Sequence, residues 1–443
     1  MSPREKELID LIHKEVKPAL GCTEPIAVAL ATAKAVETLA DGIGISPKDM
    51  VEWRLGADFS VKVEVSGNIL KNGMGVGVPG TGMIGLPIAA ALGAVCGKSA
   101  LSLEVLHDLC EKSVGRAKEL YNKGDIDICL SDTCKKLYVK AIVSLKGSAD
   151  IACSIVEDDH DHVGETSFNG KVLFSDHKSG NGKCASSESP DRHLTVREIY
   201  DFASSANFDD ISFILDDKKY NLALAEEGMK GDYGLRVGKT IRENQDSVFG
   251  DDFMSYAMGM TAAASDARMD GCVLPAMSNS GSGNQGITVS MPVIAYALRY
   301  DIDDERLARA LILSNLTAIH IKSYLGKLSA LCGCVVASTG SACGIVFLRS
   351  GSYEQVCAAI KNMIGNITGM VCDGAKVGCA MKVASGVYSS IQSAVLALNG
   401  ICASEHDGIV DNDIEKTIIN LGKIGSEGMQ STDSLILKIM ACK

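Results

Sequence analysis

The chain has no excess of basic residues: 43 lysines and arginines stand against 55 aspartates and glutamates among 443 residues, a formal net charge of −12. An acidic protein repels phosphate backbones and anionic lipid headgroups, so we expect neither nucleic acid nor an acidic membrane as a partner. The first residues also lack a secretory signal, because Met1–Glu7 is charged and leads into an amphipathic pattern. We therefore expect a cytoplasmic protein whose thiols are reduced.

Membrane-spanning features are missing as well. Two stretches without charge, Gly73–Gly97 and Leu328–Leu348, are long enough to cross a bilayer. Neither has an aromatic belt or flanking clusters of lysine and arginine, and the first contains eight glycines and two prolines. We interpret both stretches as buried segments of a catalytic core.

The chain has sixteen cysteines, and those in the C-terminal part do not follow a familiar metal-binding spacing. Cys372 and Cys379 are seven residues apart and a further pair lies upstream in Leu331–Cys334, which matches neither zinc ribbons nor ferredoxins. Thiolates on Gly-rich backbone in an uncharged stretch nevertheless suit an iron–sulfur cluster. Three such ligands would leave one iron of a [4Fe–4S] cluster open for a substrate. Spacing alone leaves a second interpretation open, in which the thiols are small core residues.

Cys22 lies in the short segment Gly21–Pro25, between two predicted helices. If Pro25 is the first helical residue, Glu24 caps the helix and Cys22 lies just outside its positive end. This placement predicts a lowered thiol pKa and a thiolate that serves as a base, a nucleophile or a metal ligand. The alternative is a small residue that fits a tight turn between helices.

Two loops, Gly80–Gly85 and Gly281–Gly286, have the G-x-G-x-x-G pattern. The pattern alone is a weak dinucleotide signal, and the surroundings of Glu104 predict a helix where a Rossmann fold needs a strand end. Gly- and Ser-rich backbone at a helix start can hold a carboxylate through its N–H groups. We therefore predict that Ser278–Gln285 binds an amino acid, with a tight helix-packing loop as the alternative.

Two other groups of residues, the lysines near the thiols and the histidines, are predicted not to bind a cofactor. Lys376 and Lys382 lie near the thiols, but no phosphate cup or pyridine partner for pyridoxal phosphate accompanies them. The eight histidines form no ligand cluster, and the densest run of carboxylates and imidazoles, Asp158–His162, is predicted to be a solvated hairpin tip.

The periodicity predicts an α+β fold. Residues 3–17 have helical spacing, residues 126–175 alternate as strands, and the chain after Thr195 is predicted to consist of helices joined by Gly-rich loops. The polar segment 175–191 is the best domain boundary. It divides the chain into a mixed α/β domain, 1–190, with Cys22 and a Gly-rich loop, and a mostly helical iron–sulfur domain, 191–443.

Four separated motifs, in order, resemble the L-cysteine desulfidase family, which is related to the iron–sulfur L-serine dehydratases. They are Gly21-Cys-Thr-Glu-Pro25, Gly281-Ser-Gly-Asn-Gln-Gly286, Leu331-Cys-Gly-Cys334 and Cys372-Asp-Gly-Ala-Lys-Val-Gly-Cys379. The similarity extends over essentially the whole chain. The interval from Cys372 to Cys379 is shorter than in the dehydratases, and their Pro-Val segment after the second thiol is absent here, which favours a desulfidase.

The resemblance implies an oxygen-sensitive [4Fe–4S] cluster held by Cys372, Cys379 and Cys332, with Cys334 as the alternative to Cys332. It also implies that Cys22 takes part in the reaction. The products implied are pyruvate, ammonia and hydrogen sulfide, as in cysteine catabolism.

On this basis we expect the Cα proton of L-cysteine to be removed by Cys22, and the substrate to be held by a set of hydroxyl and amide side chains. That set is Ser280, Ser282, Asn284, Gln285 and Thr81. An iron–sulfur L-serine dehydratase is the nearer alternative function, and a non-catalytic binding or membrane-associated protein is the more distant one. A homodimer is the default assembly for an enzyme of this size.

Overall fold

The structure, a computed structural model, describes residues 2–177, 194–244, 248–326 and 329–442. The predicted α+β class is confirmed, with a sheet in the N-terminal half and helices after it. Of the predicted boundary segment, residues 178–191 lie outside the described residues, and the division of the chain into two domains stays a prediction.

The N-terminal half contains helices and strands in alternation. Its helices are α1 Pro3–Glu15, α2 Thr23–Gly42, α3 Met50–Gly56, α4 Gly67–Gly73, α5 Leu86–Cys96 and α6 Glu111–Asn122. Its strands are β1 Pro18–Leu20, β2 Phe59–Val65, β3 Gly77–Val78, β4 Met83–Ile84, β5 Ile126–Leu130, β6 Tyr138–Leu145, β7 Ile151–Glu157, β8 Val163–Phe168 and β9 Lys171–Ser175.

The C-terminal half is helical apart from the short strand β10, Pro275–Met277. Its first helices are α7 Val196–Ser205, α8 Phe208–Ile211, α9 Asp216–Lys230, α10 Val237–Glu243, α11 Phe253–Met269 and α12 Gly283–Arg299. The later ones are α13 Asp304–Leu325, α14 Gly333–Leu348, α15 Tyr353–Asn366, α16 Cys379–Leu398, α17 Ile414–Lys423 and α18 Gln430–Ala441.

Six strands form one sheet in the order β5-β2-β6-β7-β8-β9. Strand β2 is parallel to β5 and antiparallel to β6, with Val61 opposite Ile126 and Val63 opposite Ala141. The alternation along β2 buries Phe59 and every second residue after it, and this face packs in one apolar core with residues of α2 and α5. The sheet therefore holds the start of α2 in a fixed position.

A second apolar core contains the helices of the C-terminal half, together with Leu8, Ile9 and Ile12 of α1. Helix α14 is buried along almost its whole length, which explains why its sequence has no charge. No helix of the described ranges is both long and apolar enough to cross a membrane.

A small two-stranded sheet joins the halves. Strand β1 pairs antiparallel with β10, Pro18 lying opposite Met277. The residues that follow each strand, Gly21–Cys22 and Ser278–Gly286, are therefore brought side by side, as the Thr23 hydroxyl shows by donating to the Gly281 carbonyl at 2.9 Å.

Candidate active site

Four of the predicted functional residues lie at the N-terminal ends of helices. Cys22 is the N-cap of α2, Ser282 that of α12 and Cys332 that of α14, while Cys379 is the first residue of α16. The free N–H groups and the positive dipole end of a helix favour negative charge. These four helix ends therefore favour bound thiolates and a bound carboxylate.

Backbone pairing brings two of the predicted ligands together. Leu331 and Val371 form an antiparallel bridge, with the Cys332 N–H donating to the Met370 carbonyl at 2.8 Å and the Cys372 N–H donating to the Ala330 carbonyl at 2.7 Å. The thiols of Cys332 and Cys372 are consequently neighbours, and each affects the pKa of the other. Residues forty positions apart thus meet at one point.

Cys379 completes the group. Its thiol donates to the Gly374 carbonyl at 3.8 Å, and burial raises its pKa, with the neighbouring Cys372 adding to the rise. Gly374 has φ +89°, and a Cβ there would lie 2.4 Å from the Lys71 carbonyl oxygen, so only glycine allows this turn. The turn between the two cysteines therefore packs directly on α4.

Cys334, the alternative ligand, lies beside Cys332 and has contacts of its own. Its sulfur contacts the Lys382 carbonyl at 3.7 Å and the Met370 sulfur at 4.0 Å. The neighbouring Cys334 thiol, together with burial, raises the pKa of the Cys332 thiol. The geometry places Cys332, rather than Cys334, against Cys372.

Lysines surround the thiols. Lys71 is buried, with Nζ 3.4 Å from the Cys372 carbonyl and 2.6 Å from Asp433. Burial lowers the pKa of Lys322 to about 8, although the nearby thiols Cys372 and Cys332 oppose the change. Asp433 already balances the charge of Lys71, and an anionic thiolate-bound cluster would place further negative charge beside both lysines.

Lys376 and Lys382 both contact the Asp373 carboxylate at 2.5 Å. Although burial opposes the effect, these two hydrogen bonds hold the pKa of Asp373 well below its usual range. The lysines thus bind a carboxylate of the turn between the predicted ligands.

The donor set fits an iron–sulfur cluster: three thiols on loops tied by backbone bonds, with lysines around them. Among the described residues, no three His, Cys, Asp or Glu side chains converge on the position of a single metal ion. A cluster is larger than one ion and takes its thiolates at separate corners, so the absence of a single-ion site does not conflict with a cluster.

Cys22 is buried and hydrogen-bonded to a carboxylate. The helix begins at Thr23, two residues before the predicted Pro25, so Cys22 takes the N-cap position that was assigned to Glu24. The Cys22 thiol donates to Glu24 Oε2 at 3.1 Å, and Asn72 donates to Glu24 Oε1 at 2.9 Å. Both the cysteine and the glutamate are at least nine-tenths buried.

The predicted lowering of the Cys22 pKa is wrong. Burial, reinforced by the negative charge of Glu24, raises the pKa of this thiol well above its usual range, and Arg268 opposes the rise only in part. Desolvation and an adjacent carboxylate therefore outweigh the helix N-terminus. In this structure Cys22 is held as a protonated thiol.

The run Asp158–His162 is not a solvated hairpin tip. His160 is only 5% exposed, and its Nε2, which has no hydrogen-bond partner among the described residues, lies 4.0 Å from Glu24 Oε1. The turn is tied down by Asp161, which binds Lys17 at 3.1 Å. Burial lowers the pKa of His160, while His160 and the hydrogen bonds at Glu24 hold the pKa of that buried carboxylate below its usual value.

The predicted amino-acid loop lies between Cys22 and the thiols, and much of it is internally bonded. Ser280 donates to Asn279 Oδ1 at 2.9 Å, and Ser282 caps α12 by accepting from the Gln285 N–H at 3.3 Å. Gln285 donates to Asn279 at 2.8 Å, but its Oε1 is buried, has no hydrogen-bond partner among the residues that the structure describes, and faces Gly333, next to Cys332. That oxygen is available to a ligand.

Thr81 is used within its own turn. Its hydroxyl donates to the Val78 carbonyl at 2.7 Å and accepts from the Met83 N–H at 3.0 Å. The Gly-rich stretch Gly73–Gly97 instead reaches Cys22 through Val76, which shares a small apolar cluster with it, and Cys379 packs against the same cluster. The structure thus brings this stretch to the site without using the Thr81 hydroxyl.

Arg268, near the end of α11, was not found from the sequence. It is 2% exposed and donates to the Gly21 carbonyl and to Asn284 Oδ1, both at 3.0 Å. Its sequence surroundings, an Ala-rich helix followed by Met-Asp-Gly, carry no signal for a site. Only the fold places it between Cys22 and the amino-acid loop.

Comparison with known proteins identifies the family. A family model described as the serine dehydratase alpha chain matches residues 101–438, which include the predicted ligands Cys332, Cys372 and Cys379. A relative from Phocaeicola vulgatus is 47% identical over 100% of this chain and 98% of its own, and one from Oleidesulfovibrio alaskensis is 48% identical over 100% and 99%. A third, from Porphyromonas gingivalis, is 44% identical over 99% of each chain. All three have the name UPF0597 protein.

Proposed function

This chain belongs to the serine dehydratase alpha chain family, and on that premise we propose that it is a carbon–sulfur lyase, an L-cysteine desulfidase. The reaction proposed is L-cysteine and water to pyruvate, ammonia and hydrogen sulfide. The observation that carries the proposal is the meeting of the Cys332 and Cys372 thiols beside Cys379, which packs on the apolar cluster of Cys22.

Cys332, Cys372 and Cys379 are the proposed holders of a [4Fe–4S] cluster, with Cys334 displaced by its own contacts to Met370 and Lys382. When bound, the cluster supplies an open iron that acts as a Lewis acid toward the departing sulfur. Lys71 and Lys322 place positive charge beside these thiols and stabilise their deprotonated form.

Cys22 Sγ is the proposed acceptor of the Cα proton. Because this sulfur is held as a thiol, its own proton must leave first, and Glu24 Oε2 at 3.1 Å is placed to hold it. Sγ can then take the Cα proton while the carbon–sulfur bond breaks, and positioned proton transfer of this kind contributes about 10²–10⁴ in rate. The resulting aminoacrylate tautomerises and hydrolyses in water to pyruvate and ammonia.

The alternative is a deaminating L-serine dehydratase, which the description of the family model favours. It would use the same residues with a hydroxyl as the leaving group. Against it stand the short interval between Cys372 and Cys379 and the missing Pro-Val segment after Cys379.

The deciding experiment compares the two amino acids on protein purified without oxygen. We expect equal amounts of pyruvate and sulfide from L-cysteine, at a higher kcat/KM than pyruvate from L-serine. A higher kcat/KM for L-serine would make the protein a dehydratase. The proposal also includes a cytoplasmic location and a homodimer. It excludes nucleic acid and membrane as partners.

A further inference from the structure

The guanidinium of Arg268 is a buried charge without an acidic partner. Only 2% of the residue is exposed, and among the described residues no carboxylate lies within 4.0 Å of it. Arg54, which is also strongly buried, differs in this respect, because Glu37 lies 3.5 Å from it. An unpaired buried cation is destabilising, so a protein retains one where an anion arrives.

One nitrogen of Arg268 makes no hydrogen bond within the described part of the chain. Nη1 and Nη2 donate to the Asn284 side chain and the Gly21 carbonyl, whereas Nε is fully buried and has no partner there. A Cβ on Gly283 would lie 2.2 Å from Nε. The guanidinium therefore lies against the first residue of α12, at a helix N-terminus that also favours an anion.

We propose that Arg268 binds the α-carboxylate of the amino-acid substrate. The contacts of Arg268 fix its position between the loop of Ser280–Gln285 and the residue before Cys22, so a carboxylate bound there presents the adjacent Cα to the Cys22 sulfur. Arginine suits this role because its planar fork matches a carboxylate through two parallel hydrogen bonds. The inference rests on the proposed function, since it assumes that the ligand is an amino acid.

The test measures binding rather than turnover. L-Alanine has the α-carboxylate and the ammonium group of the substrate but no leaving group, and ethylamine lacks the carboxylate. Calorimetric titration of the anaerobic, iron-loaded protein with each compound gives the contribution of the carboxylate. We expect L-alanine to bind with a preference over ethylamine that Arg268→Met reduces about 10²-fold, the value of a hydrogen-bonded charged group.

Two further variants keep the result interpretable. Arg268→Lys retains the charge without the fork, so we expect an intermediate loss of about tenfold. Arg54→Met removes the other buried arginine, which also donates to a carbonyl, Gly97. It should leave the preference for L-alanine unchanged even if it lowers stability.

Three results would overturn the inference. They are no binding of L-alanine by the wild-type protein, an unchanged preference in Arg268→Met, and an equal loss in Arg54→Met. With L-cysteine as substrate, Arg268→Met should raise KM far more than it lowers kcat. A fall in kcat alone would mean that Arg268 acts on Cys22 and not on the carboxylate of the substrate. Turnover by the wild-type protein is scored separately, so failure of the lyase proposal is recognised independently of these outcomes.

Discussion

Replacing Glu24 with glutamine should separate two effects of this buried carboxylate on Cys22. Its negative charge and its hydrogen bond from Sγ stabilise the protonated thiol, so Glu24→Gln should lower the pKa of Cys22. The same carboxylate is the proposed acceptor of the thiol proton, so turnover should fall. A single substitution is thus expected to make the thiol more reactive and the enzyme slower.

Both magnitudes follow from the contact at 3.1 Å. A hydrogen bond to a charged group contributes about 1.5–3 kcal/mol, and one pKa unit corresponds to about 1.4 kcal/mol, so the thiolate fraction should rise about 10- to 100-fold. Loss of positioned proton transfer should lower kcat by about 10²–10⁴. The two changes have opposite signs and are both measurable.

The assay combines steady-state rates with alkylation by iodoacetamide under anaerobic conditions, followed by mass spectrometry of the peptide that contains Cys22. Glu37→Gln is the matched control, because Glu37 also accepts a hydrogen bond, from the Ser99 N–H at 3.0 Å, and lies near the opposite end of α2 from Glu24. Slower alkylation of Cys22 in Glu24→Gln, or unchanged turnover, would refute the proposed relation between the two residues.

Two other predictions concern the ligands and pH. Cys332→Ser should lose iron while Cys334→Ser keeps it, because only Cys332 lies against Cys372; the opposite result would exchange their roles. Burial raises the pKa of Asp217, which accepts from Asn315 at 2.8 Å, to about 7. The folded state then binds more protons than the unfolded state between about pH 4 and 7, so stability falls as pH rises through this window. In Asp217→Asn, urea unfolding at about pH 5 and 8 should show a pH dependence smaller by about 2–3 kcal/mol than in the wild-type protein, and an equal dependence would contradict the assignment.

Local pattern predicted much of the fold. The alternation in β2 and the helical spacing in α1 arise from which face each element buries, and that information lies within a few residues of sequence. The α+β class and the buried character of α14 followed from it.

The environment of Cys22 could not be predicted in the same way. A helix start is a local property, but desolvation depends on what packs over it, here Val76 and Met269. His160 and Arg268 were missed for the same reason, since each comes from an element far along the chain and reaches Cys22 only in the folded protein.

The central claim, that three thiols hold a cluster beside Cys22, is tested most directly by the iron and acid-labile sulfide content of protein purified without oxygen. We predict about four of each per chain, as a [4Fe–4S] cluster requires. The Cys372→Ser variant should hold neither, because it removes the thiol that contacts Cys332. Wild-type protein that holds no iron even after anaerobic reconstitution would contradict the claim and leave Cys332, Cys372 and Cys379 as core residues.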